Sequence, residues 1–358
     1  MANYCEAVLD PSERQARSRS QPFLAADVGG THARVALLRA DARAGSGFEV
    51  LAYRSFLCAS FSGLAELLKV FVDLEATAPV RCCVIACAGQ VIGDAVVGDN
   101  LAWPVRLSQL RKACAFDDVA ALNDFEALGY ALDGVKASGG LLLCGPDVWG
   151  DGPALVVGPG TGLGAAVRLA GKAGGTRVLA TEAGQMDFAP ASALERKVLE
   201  MLASDAGHVP CERLLSGPGL LTLYVTLCAL RGKVPMLASP EVVTAVARAG
   251  EDAVAVETVD LFCAVLGGFV GNLAMAFMAR GGVYIAGGVL PQIKGLLQGS
   301  RFAERFLGKG RMREFLLRVP VRLIEHGRHG VVGAAHWYLD QTRRRVRPGA
   351  FEEKTVVA

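Results

Sequence analysis

Phe23-Leu24-Ala25-Ala26-Asp27-Val28-Gly29-Gly30-Thr31 runs directly into Ala33-Arg34-Val35-Ala36-Leu37-Leu38: an apolar strand, a glycine turn and a returning strand. Apolar runs this short, broken by glycine, mark buried strands rather than helices. The same order recurs at Ala154-Leu155-Val156-Val157, Gly158-Pro159-Gly160-Thr161-Gly162 and Gly164 to Leu169. Two copies are too few for a propeller and too diverged for a solenoid. They predict an internally duplicated α/β protein, in which two related domains face each other across a central cleft.

Working outward from the first copy, a strand is expected around Val50 to Ser55. Apolar residues at 61, 64, 67, 68, 71 and 74 then predict a helix from Phe61 to Leu74. Strands follow at Val80 to Ala86 and Val119 to Leu122, and Asn123-Asp124 opens a helix to about Leu132. After the second copy come a strand at Arg177 to Ala180, helices near 192–203, 217–230, 241–249 and 257–279, and a buried strand at Val283 to Ala286 ending in Gly287-Gly288. A strand from Val319 to Ile324 and a helix around 331–343 close the chain. The domain expectation is a flexible extension at 1–22, a small α/β domain from 23–134 plus 327–345, a large one from 135–326, and a polar tail at 346–358.

A length of 358 residues exceeds one ordinary core, which suits two domains. The formal net charge of +2 leaves no basic excess to displace counterions, so nucleic acid is not an expected partner. The basic run Arg343-Arg344-Arg345-Val346-Arg347 reads as a solvated tail. Ten cysteines form no CxxC pair and no zinc-spaced set, and several lie in apolar runs such as Cys82-Cys83-Val84-Ile85-Ala86-Cys87. Unpaired thiols in a chain of this size point to the cytoplasm. The first 22 residues lack an apolar core of the signal-peptide kind. Apolar stretches of membrane-spanning length occur only with glycine and polar interruptions, so no membrane span is expected.

Each glycine turn follows a strand, where exposed backbone N–H groups make a nest for phosphate; plain hairpin turns would have the same composition. Asp27 adds a carboxylate able to hold a metal or its bound water, and Thr31 and Thr161 add hydroxyls. Competing nucleotide motifs are missing or misplaced. No GxxxxGK[ST] loop occurs, and Gly160-Thr161-Gly162-Leu163-Gly164-Ala165 leads into a strand rather than the helix a dinucleotide fingerprint needs. Protein-kinase HRD and DFG loops are also missing.

Six motifs in order complete the pattern: Ala26-Asp27-Val28-Gly29-Gly30-Thr31, Leu122-Asn123-Asp124-Phe125, Gly158-Pro159-Gly160-Thr161-Gly162-Leu163-Gly164, Glu182-Ala183-Gly184-Gln185-Met186-Asp187-Phe188-Ala189-Pro190, Cys211-Glu212-Arg213-Leu214-Leu215-Ser216-Gly217-Pro218-Gly219 and Ile285-Ala286-Gly287-Gly288. Together they resemble the bacterial glucokinase family of the hexokinase/actin-like ATPase fold, from about Phe23 to the C-terminal helix. The resemblance implies two ribonuclease-H-like domains that close on a hexose and MgATP, usually in a homodimer. It implies that Asn123 holds the sugar and that Asp124 deprotonates its 6-hydroxyl, yielding glucose 6-phosphate.

By the same resemblance Glu182 and Glu212 accept hydrogen bonds from sugar hydroxyls. Asp27 organises Mg²⁺ and phosphates with Gly29, Gly30 and Thr31, Gly160, Thr161 and Gly162 cradle phosphates, and Gly287 and Gly288 lie near the adenosine. The residues also allow plainer roles. Asp124 suits a helix start beside Asn123 and Glu126, and Glu212 could pair with Arg213 at the surface. Two positions depart from the family. Gln185 stands where it usually has His, and His32 where it usually has Asn. Glutamine donates and accepts but cannot take a charge, which leaves the sugar's identity open. A kinase for another hexose or an amino sugar, and a sugar-sensing regulator with little activity, are the rival readings. The repressor/open-reading-frame/kinase group carries a cysteine-rich zinc motif after its Glu-x-Gly-His, and none follows Gln185. His208 is expected to be structural.

Overall fold

The computed structural model describes residues 21–98, 101–148, 150–170, 175–203, 207–324 and 327–345. The expected N-terminal extension, save its last two residues, and the expected tail at 346–358 lie outside them. Two compact units result: one takes the described residues through Ala131 together with those from Arg328 onward, the other Leu132–Gly327.

In the first unit β1 (Phe23–Val28) pairs antiparallel with β2 (His32–Ala40), which pairs with β3 (Phe48–Leu57). The helix α1 (Leu64–Glu75) precedes β4 (Cys82–Cys87), which lies parallel to β1. A small antiparallel sheet of β5 (Gln90–Ile92), β6 (Ala95–Val97) and β7 (Val105–Arg106) intervenes before α2 (Leu107–Cys114), β8 (Asp118–Asn123) and α3 (Asp124–Ser138). The main sheet runs β3-β2-β1-β4-β8.

The central strands β1 and β4 are apolar on both faces because both faces are covered, whereas the edge strand β3 is largely exposed. Leu24, Ala26, Val28, Val35 and Leu37 alternate onto the face that packs with Leu64, Leu67, Leu68 and Phe71, the i, i+3, i+4, i+7 stripe of α1. The C-terminal helix (His329–Arg345) packs on β1, β2 and β4, where the Tyr338 ring lies tilted against that of Phe23 with centroids 4.9 Å apart. The helix expected from Phe61 starts at Leu64 instead, because Phe61 turns its ring edge-on to Phe56, 5.5 Å away. The helix opened by Asp124 runs past Leu132 to Ser138.

The second unit holds β9 (Leu141–Cys144), β10 (Ala154–Pro159), β11 (Leu163–Ala170), β12 (Thr176–Thr181), α4 (Ala193–Ala203), α5 (Gly217–Leu230), α6 (Pro240–Ala249), α7 (Ala253–Ala276), β13 (Gly282–Ile285), α8 (Leu290–Gly299), α9 (Phe302–Leu307), α10 (Arg313–Leu316) and β14 (Val321–Leu323). Its sheet runs β12-β11-β10-β13-β14-β9. The first five strands repeat the first unit's order, again with two antiparallel pairs leading into parallel ones. The duplication expected from the glycine turns is therefore a duplication of topology. α7 is long and apolar enough to cross a membrane by length and composition alone, yet 78% of its most apolar window is buried. A helix apolar on all sides belongs in a core, and here Gly267 and Gly271 on α7 let the backbone of α9 come close at Phe302 and Phe306.

Candidate active site

In the first unit the parallel strands β1, β4 and β8 end in register, Val28 beside Cys87 and Cys87 beside Asn123. That edge is where open α/β sheets place ligands. Asp27 sits one residue before the end of β1, directly across from Arg34 on β2, whose Nη1 lies 3.4 Å from Asp27 Oδ2. The turn that follows is closed by Gly29 N on His32 O at 3.0 Å and tied to the end of β3 by Cys58 N on Thr31 O at 2.8 Å. Gly30, Thr31 and His32 are exposed.

Behind Asp27 comes the N-terminal turn of the C-terminal helix. Gly330 lies so close that a Cβ there would meet the Asp27 carboxylate. Neither Arg34 nor Gly330 is among the residues the motifs single out. Arg34 becomes visible only through strand register, whereas a glycine inside a helical run is a readable cue.

Asn123 is the N-cap of α3. Its Oδ1 accepts from Phe125 N at 2.9 Å and Glu126 N at 3.2 Å, and its Nδ2 donates to Gly89 O at 3.3 Å. Asp124 is thus the first helical residue rather than the cap, and its Oδ1 also accepts from Phe125 N at 2.9 Å. An acid at this position is favoured by the helix dipole and held in one orientation. Cys87, fully buried between β1 and β8, has its thiol pushed up to about 12 by burial first and then by the nearby carboxylates of Asp124 and Asp27. The thiol stays neutral at physiological pH and adds no third negative charge between them.

In the second unit the remaining motifs converge on the β10–β11 turn. Gly160 N bonds Gly162 O, and Gly160 O accepts from Gly217 N, both at 2.8 Å. Ser216 caps α5, its Oγ accepting from Gly219 N at 3.0 Å. Gly287, with φ at 123°, packs on Pro159, and Val289 N reaches Pro159 O at 3.4 Å. Glu212 Oε2 accepts from Leu163 N at 2.7 Å, while Glu212 Oε1 accepts from Gln185 Nε2 at 3.2 Å. Glu182 and Gln185 lie on the short turn after β12, and both are exposed. His208 Nδ1 lies 2.7 Å from Asp187 Oδ1, a contact that clasps two loops of this unit.

Phosphate would fit this arrangement. A Cβ built on Gly160 or Gly288 meets nothing within 4 Å, and neither residue has positive φ, so local packing leaves open space beside both. Among the described residues no three His, Cys, Asp or Glu side chains gather into a metal cage. Magnesium seldom needs one, since it binds through one or two carboxylates plus nucleotide phosphates. Asp27 supplies a hard oxygen donor of that kind.

The chain matches the Glucokinase family over residues 24–341. It is 46% identical over 320 residues to a glucokinase-like protein of Xylella fastidiosa strain 9a5c, covering 89% of this chain and 95% of that one. A glucokinase of Saccharophagus degradans is 36% identical over 320 residues, 89% of this chain and 98% of that one. Among solved structures, a glucokinase from an Antarctic psychrotroph superposes with a TM-score of 0.78 at 32% identity, over 88% of this chain and 98% of that one. The two duplicated sheets are those of the actin-like ATPase fold, and the family match makes the chain a sugar kinase. The chain belongs to the glucokinase family.

Proposed function

We propose that this chain transfers the γ-phosphoryl group of ATP to the 6-hydroxyl of glucose, with Asp124 as the general base. The observation that carries the reading is the setting of Asp124, a carboxylate fixed at the first turn of α3 while Asn123 takes over the capping. Phosphoryl transfer asks the protein for a positioned nucleophile and for neutralised phosphate charge. A carboxylate in hydrogen-bond reach of the hydroxyl meets the first need. The two nests Gly29–Thr31 and Gly160–Gly162 serve the second through backbone N–H groups. Asp27 would hold the magnesium that accompanies the nucleotide, and that ion would supply charge neutralisation for the transferring group.

Glu182, Gln185 and Glu212 bind the ring hydroxyls. Asn123 contributes through Nδ2, since its oxygen is committed to the helix. Gly287 sets the backbone beside the phosphate turn, and Gly288 opens toward the adenosine. The reading takes the protein as a cytoplasmic homodimer feeding glycolysis, as the family resemblance implies. The cysteines among the described residues are free thiols, which suits a reducing compartment.

Gln185 favours a second reading, a kinase of the same mechanism for another hexose or an amino sugar. It already spends its amide on Glu212 and presents a neutral group where the family usually has histidine. A panel of sugars in a coupled ADP-release assay separates the two, run on the native chain and on Gln185→His. Glucose is expected to give the highest kcat/KM, and Gln185→His to shift the glucose KM by about tenfold with kcat nearly unchanged, as loss or gain of one hydrogen bond does. Preference for another sugar in the native chain would replace the first reading by the second. Sugar binding without any ADP release would sink both.

A further inference from the structure

Glu212 is placed in a way that a sugar contact alone does not explain. Its two oxygens face different parts of the second unit: Oε1 toward Gln185 on the turn after β12, Oε2 toward the backbone N–H of Leu163. Leu163 is the first residue of β11, paired with Pro159 and directly following Gly160–Gly162. The turn Ala183–Gln185 backs on the same residue, where a Cβ on Gly184 would overlap the Leu163 carbonyl.

Glu212 itself has little freedom. Cys211 N bonds Met186 O and Phe188 N bonds Val209 O, both at 2.8 Å, which laces the two loops together. The Asp187–His208 contact adds a side-chain clasp. The loop carrying Glu212 ends in Ser216, whose Oγ donates to Glu212 O at 2.9 Å, and Gly217 N then bonds Gly160 O at 2.8 Å.

We infer that Glu212 is a positioning residue for the Gly160–Gly162 turn, linking what fills the Gln185 side to the order of the phosphate nest. The inference rests on the proposed function only for the identity of the two ligands, a hexose on one side and a nucleoside triphosphate on the other. A sugar hydroxyl that donates to Oε1 takes the place of the Gln185 amide and leaves Oε2 on Leu163. The carboxylate stays held from both ends, with the 3.2 Å Gln185 contact exchanged for a ligand hydroxyl. A hydrogen bond to a charged acceptor is about twice as strong as a neutral one, so the Leu163 N–H is firmly held by Glu212, and any shift of the carboxylate when its Oε1 partner changes is felt at Leu163.

The test uses the full chain with two readouts, amide exchange in the segment 158–165 and the affinity for a non-hydrolysable ATP analogue. The variants are Glu212→Ala and Glu212→Gln, with thermal melting to confirm folding. Glu212→Ala is expected to speed exchange at Leu163 and to weaken the analogue about tenfold. Glu212→Gln keeps an oxygen for Leu163 and is expected to restore most of both. Gln185→Met cuts only the Oε1 side. The Gln185 amide contacts Glu212 rather than the turn, so faster exchange at Leu163 in that variant marks transmission through Glu212.

Unchanged Leu163 exchange in a folded Glu212→Ala overturns the inference, whatever the activity. If exchange responds but the native chain binds no analogue, the proposed function fails and the positioning role stands. If the native chain phosphorylates glucose and exchange and analogue affinity ignore both positions, the positioning role alone is lost.

Discussion

Asp124→Asn is expected to lower kcat between about a hundredfold and ten-thousandfold, the usual worth of a positioned general base. Asparagine is nearly the same shape and keeps an oxygen for Phe125 N, the contact that orients the native side chain at 2.9 Å. Glucose affinity should therefore stay within about tenfold, the cost of one altered hydrogen bond. Stability should fall only slightly, because a first-turn acid contributes about 0.3–1 kcal/mol through the helix dipole. Loss of turnover with retained sugar binding and a near-native melting temperature is the signature of a base. Asn123→Ala should behave differently: removing the cap costs about 1 kcal/mol and loosens the start of α3, so stability and turnover move together.

The second large effect is expected at Gly287. Its φ of 123° lies in a region that side chains other than glycine rarely adopt, and a Cβ there would overlap the carbonyl of Pro159. Backbone strain and overpacking each cost on the order of 1–3 kcal/mol. Gly287→Ala should thus destabilise the protein by roughly 3 kcal/mol and lower its melting temperature by about 6–12 °C. Pro159 leads directly into the Gly160–Gly162 turn, so the ATP KM should rise as well. Gly288→Ala is the matched control. Its Cβ meets nothing within 4 Å, so stability should hold while nucleotide affinity falls if the adenosine lies there. Equal melting temperatures for both variants would contradict the packing argument.

Much of the architecture is legible in the amino-acid sequence. The two glycine turns carry the fold, because an apolar run closed by glycine and answered by another apolar run has few foldings besides a buried hairpin. The helix expected at 217–230 has those bounds in the structure, since Ser216 caps it and Pro218 follows at its start. The three short strands β5, β6 and β7 leave no such trace. They are two or three residues long, Gln90, Val91 and Ile92 are all exposed, and no alternation can show in so short a run. α2 is nearly as silent: Leu107, Leu110 and Cys114 have the i, i+3, i+7 spacing, but only Leu110 is fully buried and eight residues give the period little room to show.

At the site, the candidate residues are legible by type and order, but not their partners. Nothing along the chain says that Arg34 faces Asp27, since that follows from the β1–β2 register. Likewise Asn123 and Asp124 could divide cap and carboxylate either way; the backbone path into α3 decides it. Gln185 stands out as a departure from the family pattern, but its contact with Glu212 bridges two loops 27 positions apart. Pairings of that reach come from the fold.

The most direct measurement is the position of the new phosphate. The native chain, incubated with glucose and MgATP, is followed by proton–phosphorus correlated NMR of the unseparated product. Phosphorus is expected to couple to the two protons on carbon 6 of glucose, and the signal to build at least about a hundredfold more slowly with Asp124→Asn. A phosphate on any other oxygen, or an equal signal from Asp124→Asn, would contradict the proposed reaction.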